Sequence, residues 1–595
     1  MIVWITNLRF FRASIILVLL VGIFLSVRPV GAEPRALVIG IDKYVTVGEL
    51  DGAVNDAKGI VDALRTIGVN DITALFDTQV TRKTVQDGWD SLIKRSRPGD
   101  ILFFTYAGHG GEEPEHVKGS EKSGKDQNIL FPRFNPNTDD NAERLIDDEI
   151  ALMLKRAADA KLSVMMVMDA CHSGTMTRGI DTRVRKFKVR AAKYPTIEND
   201  HIGAIDPAGA NLKLEDQNDL LYLGAVQDHE LAPEVEIDGK PHGALSVSVA
   251  RGLGGAADLN HNGIVTSDEI ETYVRESVRI LMEGQQNPSS TRGNNISLTL
   301  PSGSAPSKPI ANPFPSEAPT IAVQIMNADP ARPTADLLAK INGVVAAGDP
   351  GAAVLTWDIR RGHLLNKLGD LVAYANERAV AVPPPTTTRG FGRSVPVAGA
   401  STATPAPSTT CEDIETRGFG RRSLTPPTVS VCDGLSDLGA VQKVVDKWRV
   451  VEMVRQRALQ DAFTITLQPS DGIHYEKDNL KLIVSGQRYT YFTLFNIGSD
   501  GTVNFLYPLT SDKFRDPLEI PINRNYELDL TVQPPFGSDH FIAISSNQPL
   551  SDLHRDLAYR DGKQVAGELP AILARSMKDK VLQVGLHGVY TAPKL

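Results

Sequence analysis

Ile101-Leu-Phe-Phe-Thr-Tyr-Ala-Gly-His-Gly110 decides the fold. Its first five residues form an apolar run of strand length without alternation, the pattern of a strand buried on both faces of a sheet. The run ends in a turn of small residues that presents one histidine, His109. A second stretch has the same form: Ser163-Val-Met-Met-Val-Met168 leads into Asp169-Ala-Cys-His-Ser-Gly174. Around these two, strand and helix patterns alternate. Ala36 to Ile41, Ile72 to Phe76 and Leu220 to Val226 read as strands. Ala53, Ala57, Ile60, Val61 and Leu64 repeat at helical spacing, as do Val85, Trp89, Leu92 and Ile93. Further helices are expected at Ile150 to Ala158 and Ala244 to Leu253. Such alternation predicts an α/β domain over residues 33–300, a parallel-rich sheet sandwiched by helices.

In a parallel α/β sheet, functional groups collect beyond the carboxyl ends of the strands. His109 and Cys171 both fall there, each in its own small-residue turn. A thiolate is strongly nucleophilic, and an adjacent imidazole can take the thiol proton and return it to a departing amine. The backbone N–H groups of Gly110 and Cys171 are placed to hold an oxyanion. Each half alone has a plainer explanation, since a Gly-His-Gly is a common turn and a lone Cys after a strand is commonly core. Their occurrence in order, each after its own strand, favours the dyad.

The YAGHG segment with His109 and the DACHSG segment with Cys171 resemble the caspase-like cysteine peptidase family, most closely its metacaspase branch. Leu50-Asp-Gly-Ala-Val-Asn-Asp-Ala57, Leu223 to Ala232 and His242 to Leu253 fit the same pattern in order. The resemblance implies a cysteine endopeptidase acting on peptides or proteins, with no cofactor required for its chemistry. It also implies that Asp56 and Asp169 line the pocket for the residue before the scissile bond (P1). Two carboxylates there would favour Arg or Lys and repel acidic side chains. Asp56 as a simple helix cap is the alternative, and cleavage after Asp or Asn a different specificity within the same fold. Ala107 stands where many relatives have Ser, so one pocket hydroxyl is missing. Many metacaspases are calcium-activated at an Asp cluster. Asp126, Asp147 and Asp148 match part of it, but Arg178 occupies a further position expected to be Asp.

A second calcium candidate is Asp258-Leu-Asn-His-Asn-Gly-Ile-Val-Thr-Ser-Asp-Glu269, which has the ligand spacing of an EF-hand loop. Its ligands would be Asp258, Asn260, Asn262, the Ile264 carbonyl, Thr266 and Glu269. A loop held by its own side-chain hydrogen bonds is the alternative.

Residues 1–32 read as a signal peptide, with Arg9 and Arg12 before an apolar Ala13 to Val27 and small residues at Val30-Gly31-Ala32. That predicts a secreted or periplasmic protein, with an uncleaved anchor as the alternative and no stable membrane span expected. The formal charge of −9 argues against a nucleic-acid partner. Of three cysteines, Cys411 and Cys432 lie close enough in sequence to pair as a disulfide in an oxidising compartment, leaving Cys171 the odd thiol.

Residues 301–462 read as Pro-rich linkers with helical segments, one near Ala335 to Val380 and one near Leu438 to Asp461. A repeated TRGFGR stands at Thr388 to Arg393 and Thr416 to Arg421. Residues 463–595 alternate with period two and suggest a β-sandwich-like accessory domain with a helix near Pro570 to Met577. Phe495 to Pro508 and Pro534 to Ile544 resemble an uncharacterised β-rich module that follows caspase-like domains in bacterial proteins. The basic stretch with Arg178, Arg183, Arg185, Lys186, Lys188, Arg190 and Lys193 is expected to be a self-processed loop, tethered at high effective concentration. Solvated loop charges are the alternative. The rival to a peptidase is an inactive caspase-like protein that binds or scaffolds in the cell envelope in a calcium-dependent way.

Overall fold

The computed structural model describes residues 32–171, 188–206, 217, 219–227, 231–291, 296–301, 314–328, 334–348, 350–375, 412–414, 429–431, 437–461, 463–469, 473–511, 514–522 and 524–594. Residues 1–31, which hold nearly all of the expected signal peptide, both TRGFGR repeats, Cys411, Cys432 and residues 172–187 lie outside them.

The first half is built on strands β1 (Pro34–Gly40), β2 (Asp71–Phe76), β3 (Ile101–Ala107), β7 (Ser163–Asp169), β8 (Leu220–Gly224) and β12 (Ser289–Thr291). They form one sheet in the order β12-β8-β7-β3-β1-β2. All pairs are parallel except β12 with β8. A small antiparallel sheet of β4 (Gly110–Pro114), β5 (Lys125–Leu130) and β6 (Arg144–Ile146) projects from the end of β3. Short pairs β9 (Val235–Ile237) with β10 (Lys240–His242) and β11 (Ile264–Thr266) with β13 (Ser297–Thr299) complete the unit.

Helices α1 (Ala53–Thr66), α2 (Arg82–Arg95), α3 (Asp147–Asp159), α4 (Ala244–Arg251) and α5 (Ser267–Leu281) cover the main sheet. Helix α2 begins at Thr81, whose hydroxyl accepts the Thr84 N–H at 3.1 Å, a cap that satisfies an orphan donor of the first turn.

The uninterrupted apolar runs are explained by burial on both faces. Ala36, Val38, Phe103, Met165 and Val167 enter one core, and Leu37, Ile39, Leu102, Phe104, Met166 and Met168 the other. Each of these side chains larger than alanine contributes about 1.5–3 kcal/mol by leaving water. The register matters more for function: Ala107 sits opposite Asp169. The turns that follow β3 and β7 therefore leave the sheet side by side.

Among the described residues of 335–380, with α-helix confined to Thr334–Leu338 and a 3-10 turn at Pro350–Ala352, the expected long helix is replaced by a five-stranded sheet. Its strands are Ile321–Met326, Val344–Ala346, Leu355–Asp358, His363–Asn366 and Leu371–Tyr374. The physical reason is turn chemistry: Gly362 and Gly369 adopt φ of +64° and +88°. They break the run into hairpin arms that a helical reading joins together.

A long helix, Leu438–Ala458, packs Trp448 and Val451 into the core beneath this sheet. The C-terminal region holds a three-stranded and a six-stranded sheet, with helices Ser551–Arg560 and Leu569–Ser576. A turn at Gly498 to Gly501 joins Tyr491–Ile497 to Thr502–Tyr507 in antiparallel pairing. No helix among the described residues is long and apolar enough to cross a membrane.

Phe103 is wholly buried. In a Cys171→Ala background, Phe103→Ala should lower stability by about 3–5 kcal/mol in denaturant titration, whereas Val45→Ala, at an exposed site, should change it by less than ~0.5 kcal/mol.

Candidate active site

The turn after β3 is fixed by two tyrosines. The His109 N–H donates to the Tyr44 hydroxyl at 2.9 Å, and the Tyr106 hydroxyl donates toward the His109 carbonyl at 2.8 Å. Gly108 is required here, because a Cβ would stand 2.6 Å from both hydroxyl oxygens. The His109 ring packs edge-on against Tyr44 at 4.8 Å. Its Nε2 lies 2.6 Å from the Gly48 carbonyl. A carbonyl only accepts, so the proton is assigned to Nε2 and Nδ1 keeps its lone pair. That Nδ1 is buried without a partner. Burial lowers the His109 pKa, so the ring is neutral and its free nitrogen is a base.

Cys171 ends the turn after β7 and is fully buried. Its Sγ accepts the Ala232 N–H at 2.7 Å. Beside it runs the chain's own segment 188–192. Val189 bridges Pro233 in antiparallel fashion, and Ala191 bridges Gly110 in parallel fashion. The Arg190 N–H donates to Ala232 O at 3.2 Å. The Arg190 carbonyl accepts the N–H of Gly110 at 3.0 Å and of Cys171 at 3.1 Å. These are the two donors assigned above to an oxyanion. Burial pushes the Cys171 thiol up to about 12, so with this segment in place the thiol is protonated.

The Arg190 side chain lies in the acidic pocket. Its Nη1 is 2.9 Å from Asp169, and its Nη2 is 2.5 Å from Asp56 and 3.0 Å from Glu234. All four groups are essentially buried. Burial alone would lower the guanidinium pKa, but Asp169, Asp56 and Glu234 outweigh it and hold the charge in place.

The carboxylates are themselves oriented. Asp169 accepts from the Ser246 N–H and hydroxyl at 3.0 and 2.6 Å. Asp56 is contacted by His242 Nδ1 at 2.7 Å and the Gly243 N–H at 2.9 Å. Glu234 accepts from the Asp51 and Gly52 N–H groups. Gly243 cannot be larger, since a Cβ would lie 2.3 Å from Asp169. Ser246 supplies a hydroxyl in a pocket where Ala107 has none.

The structure thus brings His109, Cys171, Gly110, Asp56 and Asp169 around one peptide unit. Glu234, Ser246, His242, Gly48 and the two tyrosines were not singled out from sequence. The available signals were weak: an acid in the apolar segment Ala232-Pro-Glu-Val235, and a His-Gly pair at a helix start.

The calcium candidates stand elsewhere. Asp126 and Asp148 are buried, and Oδ1 of the first and Oδ2 of the second have no hydrogen-bond partner. Burial and the neighbouring charges of Asp126 and Glu121 push Asp147 up to about 7 and Asp148 up to about 6. Arg178 lies outside the described residues. In the 258–269 loop the oxygens are engaged internally. Asp258 accepts from the Asn262 and Gly263 N–H groups, Asn260 from Asn262, and Asn262 from Ile264. Glu269 forms a capping box with Thr266 and also accepts from Asn260 Nδ2 at 2.7 Å.

A third group, Glu113, His116 and Asp200, brings possible ligand atoms within 4.8 Å of one another. Arg144 pairs with both acids, and His116 bonds on both nitrogens, so these atoms are already engaged. Both nitrogens face acids, Asp126 foremost, and the His116 pKa is raised to about 9.

The domain that carries this sheet order, the paired turns and the acid pocket is similar to metacaspase peptidase domains. Residues 34–179 match the family model described as Metacaspase, peptidase C14 domain. Over 178 residues the chain is 32% identical to Metacaspase-1 of Plasmodium falciparum (isolate 3D7), covering 28% of this chain and 27% of that protein. Over 149 residues it is 34% identical to Metacaspase-7 of Arabidopsis thaliana, covering 24% of this chain and 34% of that one. A solved structure of a Geobacter sulfurreducens protein aligns at 20% identity and a TM-score of 0.31, covering 45% of this chain and 94% of that one. The chain spans about a third of the length of the curated relatives it matches.

The raised thiol pKa is testable in the intact chain carrying His109→Ala. Relative to an ordinary thiol, the thiolate fraction at neutral pH falls on the order of a thousandfold. Iodoacetamide labelling at Cys171, read by peptide mapping, should be at least a hundredfold slower than a model thiol and should keep rising with pH beyond 9.

Proposed function

We propose that this chain is a cysteine endopeptidase that cleaves after Arg, and less well after Lys, and that its first substrate is its own Arg190–Ala191 bond. One observation carries the reading: Arg190 has its carbonyl on the Gly110 and Cys171 N–H groups while its guanidinium fills the Asp56–Asp169–Glu234 pocket. A planar fork met by three carboxylates favours Arg over the single ammonium of Lys. A scaffold without activity gives this arrangement no purpose.

The chemistry follows from the geometry. Cys171 Sγ attacks the P1 carbonyl carbon as its proton passes to His109 Nδ1, while Gly48 holds the far side of the ring. The two N–H groups stabilise the oxyanion. The intermediate collapses with rupture of the C–N bond, and the imidazolium proton goes to the leaving amine. Water then attacks the thioester, giving its proton to His109. The acid leaves and the thiol is restored.

Intact-mass spectrometry tests self-cleavage. Wild type should yield fragments parted between Arg190 and Ala191, and Cys171→Ala and Arg190→Gln should not. On a fluorogenic panel with Arg, Lys, Asp and Asn at P1, processed enzyme should prefer Arg. Glu234→Gln or Asp56→Asn should lower kcat/KM for Arg by about 10- to 100-fold, as expected for a charged hydrogen-bond partner worth ~1.5–3 kcal/mol. Peptidase activity in Cys171→Ala, or an Asp preference, would sink the reading.

Calcium influence is part of the proposal. The orphaned buried oxygens of Asp126 and Asp148 fit a hard cation, and Asp147 stands with them. A bound ion would supply the positive charge that offsets their repulsion. The 258–269 loop satisfies most of its own oxygens and fits less well. Calorimetry on Cys171→Ala should show a calcium heat that Asp148→Asn removes and Glu269→Gln leaves; the reverse would assign calcium to the loop. Export through residues 1–32 completes the proposal.

A further inference from the structure

The chain just past the Arg190–Ala191 bond, a strap of residues 191–202, has a seat of its own. It leaves the bond as an added strand, with the Ala192 N–H donating to Gly110 O at 2.8 Å. Tyr194, four residues past Arg190, enters a slot on the β4–β5–β6 sheet. Its ring meets Phe134 edge-on at 4.8 Å. Its hydroxyl accepts from Asn128 Nδ2 at 2.6 Å and donates to Glu113 at 3.2 Å. The slot exists because residue 111 is glycine: a Cβ there would lie 2.9 Å from the Tyr194 ring.

Six residues farther, the Asp200 carboxylate accepts from Arg144 Nη2 at 2.6 Å and is met by His116 Nε2 at 2.8 Å. Arg144 is wholly buried and is gripped from its other side by Glu113 at 2.7 and 2.9 Å. Asn141 closes the run, donating to the Asn199 carbonyl at 2.6 Å and accepting the His201 N–H at 3.0 Å.

The recognising groups, Asn128, Glu113, Arg144 and Asn141, are all buried and polar. Buried polar groups are costly without partners, and here the strap supplies several of those partners. The seat belongs to the β4–β5–β6 sheet and the turn beside it, not to the strap. A peptide cleaved at Cys171 that continues past its scissile bond runs over the same surface.

We infer that this surface is a primed-side exosite for an extended peptide carrying an aromatic side chain four residues past the cut bond and a carboxylate ten residues past it. The strap is its resident occupant until the Arg190–Ala191 bond is cut, after which the primed side of a substrate displaces it. The inference rests on the peptidase reading for the position of the bond.

Two measurements test it. The first is fluorescence anisotropy of a labelled peptide, AAKYPTIENDHI, on full-length Cys171→Ala carrying Tyr194→Ala and Asp200→Asn to loosen its own strap. Saturable binding is expected, with at least tenfold loss when the peptide tyrosine is changed to alanine or its aspartate to asparagine. Binding should also be at least tenfold weaker to Cys171→Ala with an intact strap. Equal binding of native and altered peptides overturns the exosite. The second uses processed wild type and needs no loosened variant. An Arg-P1 peptide extended to the tenth primed residue should be cleaved with at least tenfold higher kcat/KM than its Tyr→Ala, Asp→Asn version, beside a coumarin substrate with no primed residues. Equal rates with the coumarin substrate still cleaved overturn the exosite and leave the peptidase reading intact. Loss of coumarin cleavage sinks the peptidase reading, and the binding measurement then decides the exosite alone.

Discussion

Three carboxylates from three parts of the chain meet one guanidinium: Asp56 on α1, Asp169 at the end of β7, Glu234 before β9, and Arg190 between them. Taking such charges out of water is expensive, and only close, hydrogen-bonded pairing offsets it. Each carboxylate therefore carries its own N–H or hydroxyl donors, from Gly243, Ser246, Asp51 and Gly52. With Arg190 gone, those donors remain but the single cation does not. On the proposed reading, three neighbouring carboxylates left with only His242 beside them repel one another and favour a positive side chain in place of Arg190.

Seating Arg190 also sets the state of the nucleophile. The thiol sits under segment 188–192, buried, with its nearest cation already neutralised by acids, and its pKa rises accordingly. His109 is neutral with Nδ1 free. The ground state is thus a thiol and an imidazole, not an ion pair. On the proposed reading, proton transfer accompanies attack on the carbonyl already resting on the N–H groups of Gly110 and Cys171. Covering the thiol restrains its reaction with other electrophiles while leaving the covering peptide itself in the position of a substrate.

Much of this was legible because it is local. The β3 and β7 runs are continuous and apolar since both faces are covered, and the small-residue turns after them carry His109 and Cys171. What places those turns together is the parallel register of β3 and β7, a long-range fact that no spacing in the chain states. Asp56 and Asp169 were reachable through motif; Glu234 was not, because its segment has no pattern beyond an acid among apolar residues. Arg190 was legible only as one of several basic residues. Which of them enters the pocket is fixed by the bridges of Val189 and Ala191 to Pro233 and Gly110, again long-range. The region 321–375 misled for a different reason: hairpin arms of four residues imitate helical spacing once the turn glycines between them are overlooked.

The C-terminal half bears on the N-terminal α/β domain through contact rather than tether. The apolar core that holds Cys171 continues through α5 to Trp448 and on to the six-stranded sheet. Polar ties cross the same boundary: Tyr273 donates to Leu459 O at 2.9 Å, and Glu283 is shared by Arg455 and His540. Arg488, from the β-rich region, reaches the carbonyl of Leu259 within the 258–269 loop. A core shared at this scale resists separation far more than a linker would, since parting it exposes apolar surface and breaks the pairs of Glu283 with Arg455 and His540. The C-terminal region is in this sense part of the wall behind the sheet face that carries Cys171. The helix Leu438–Ala458, which precedes the β-rich region, packs Trp448 and Val451 into the same core as Ile270, Tyr273 and Val274 of α5 and Cys171.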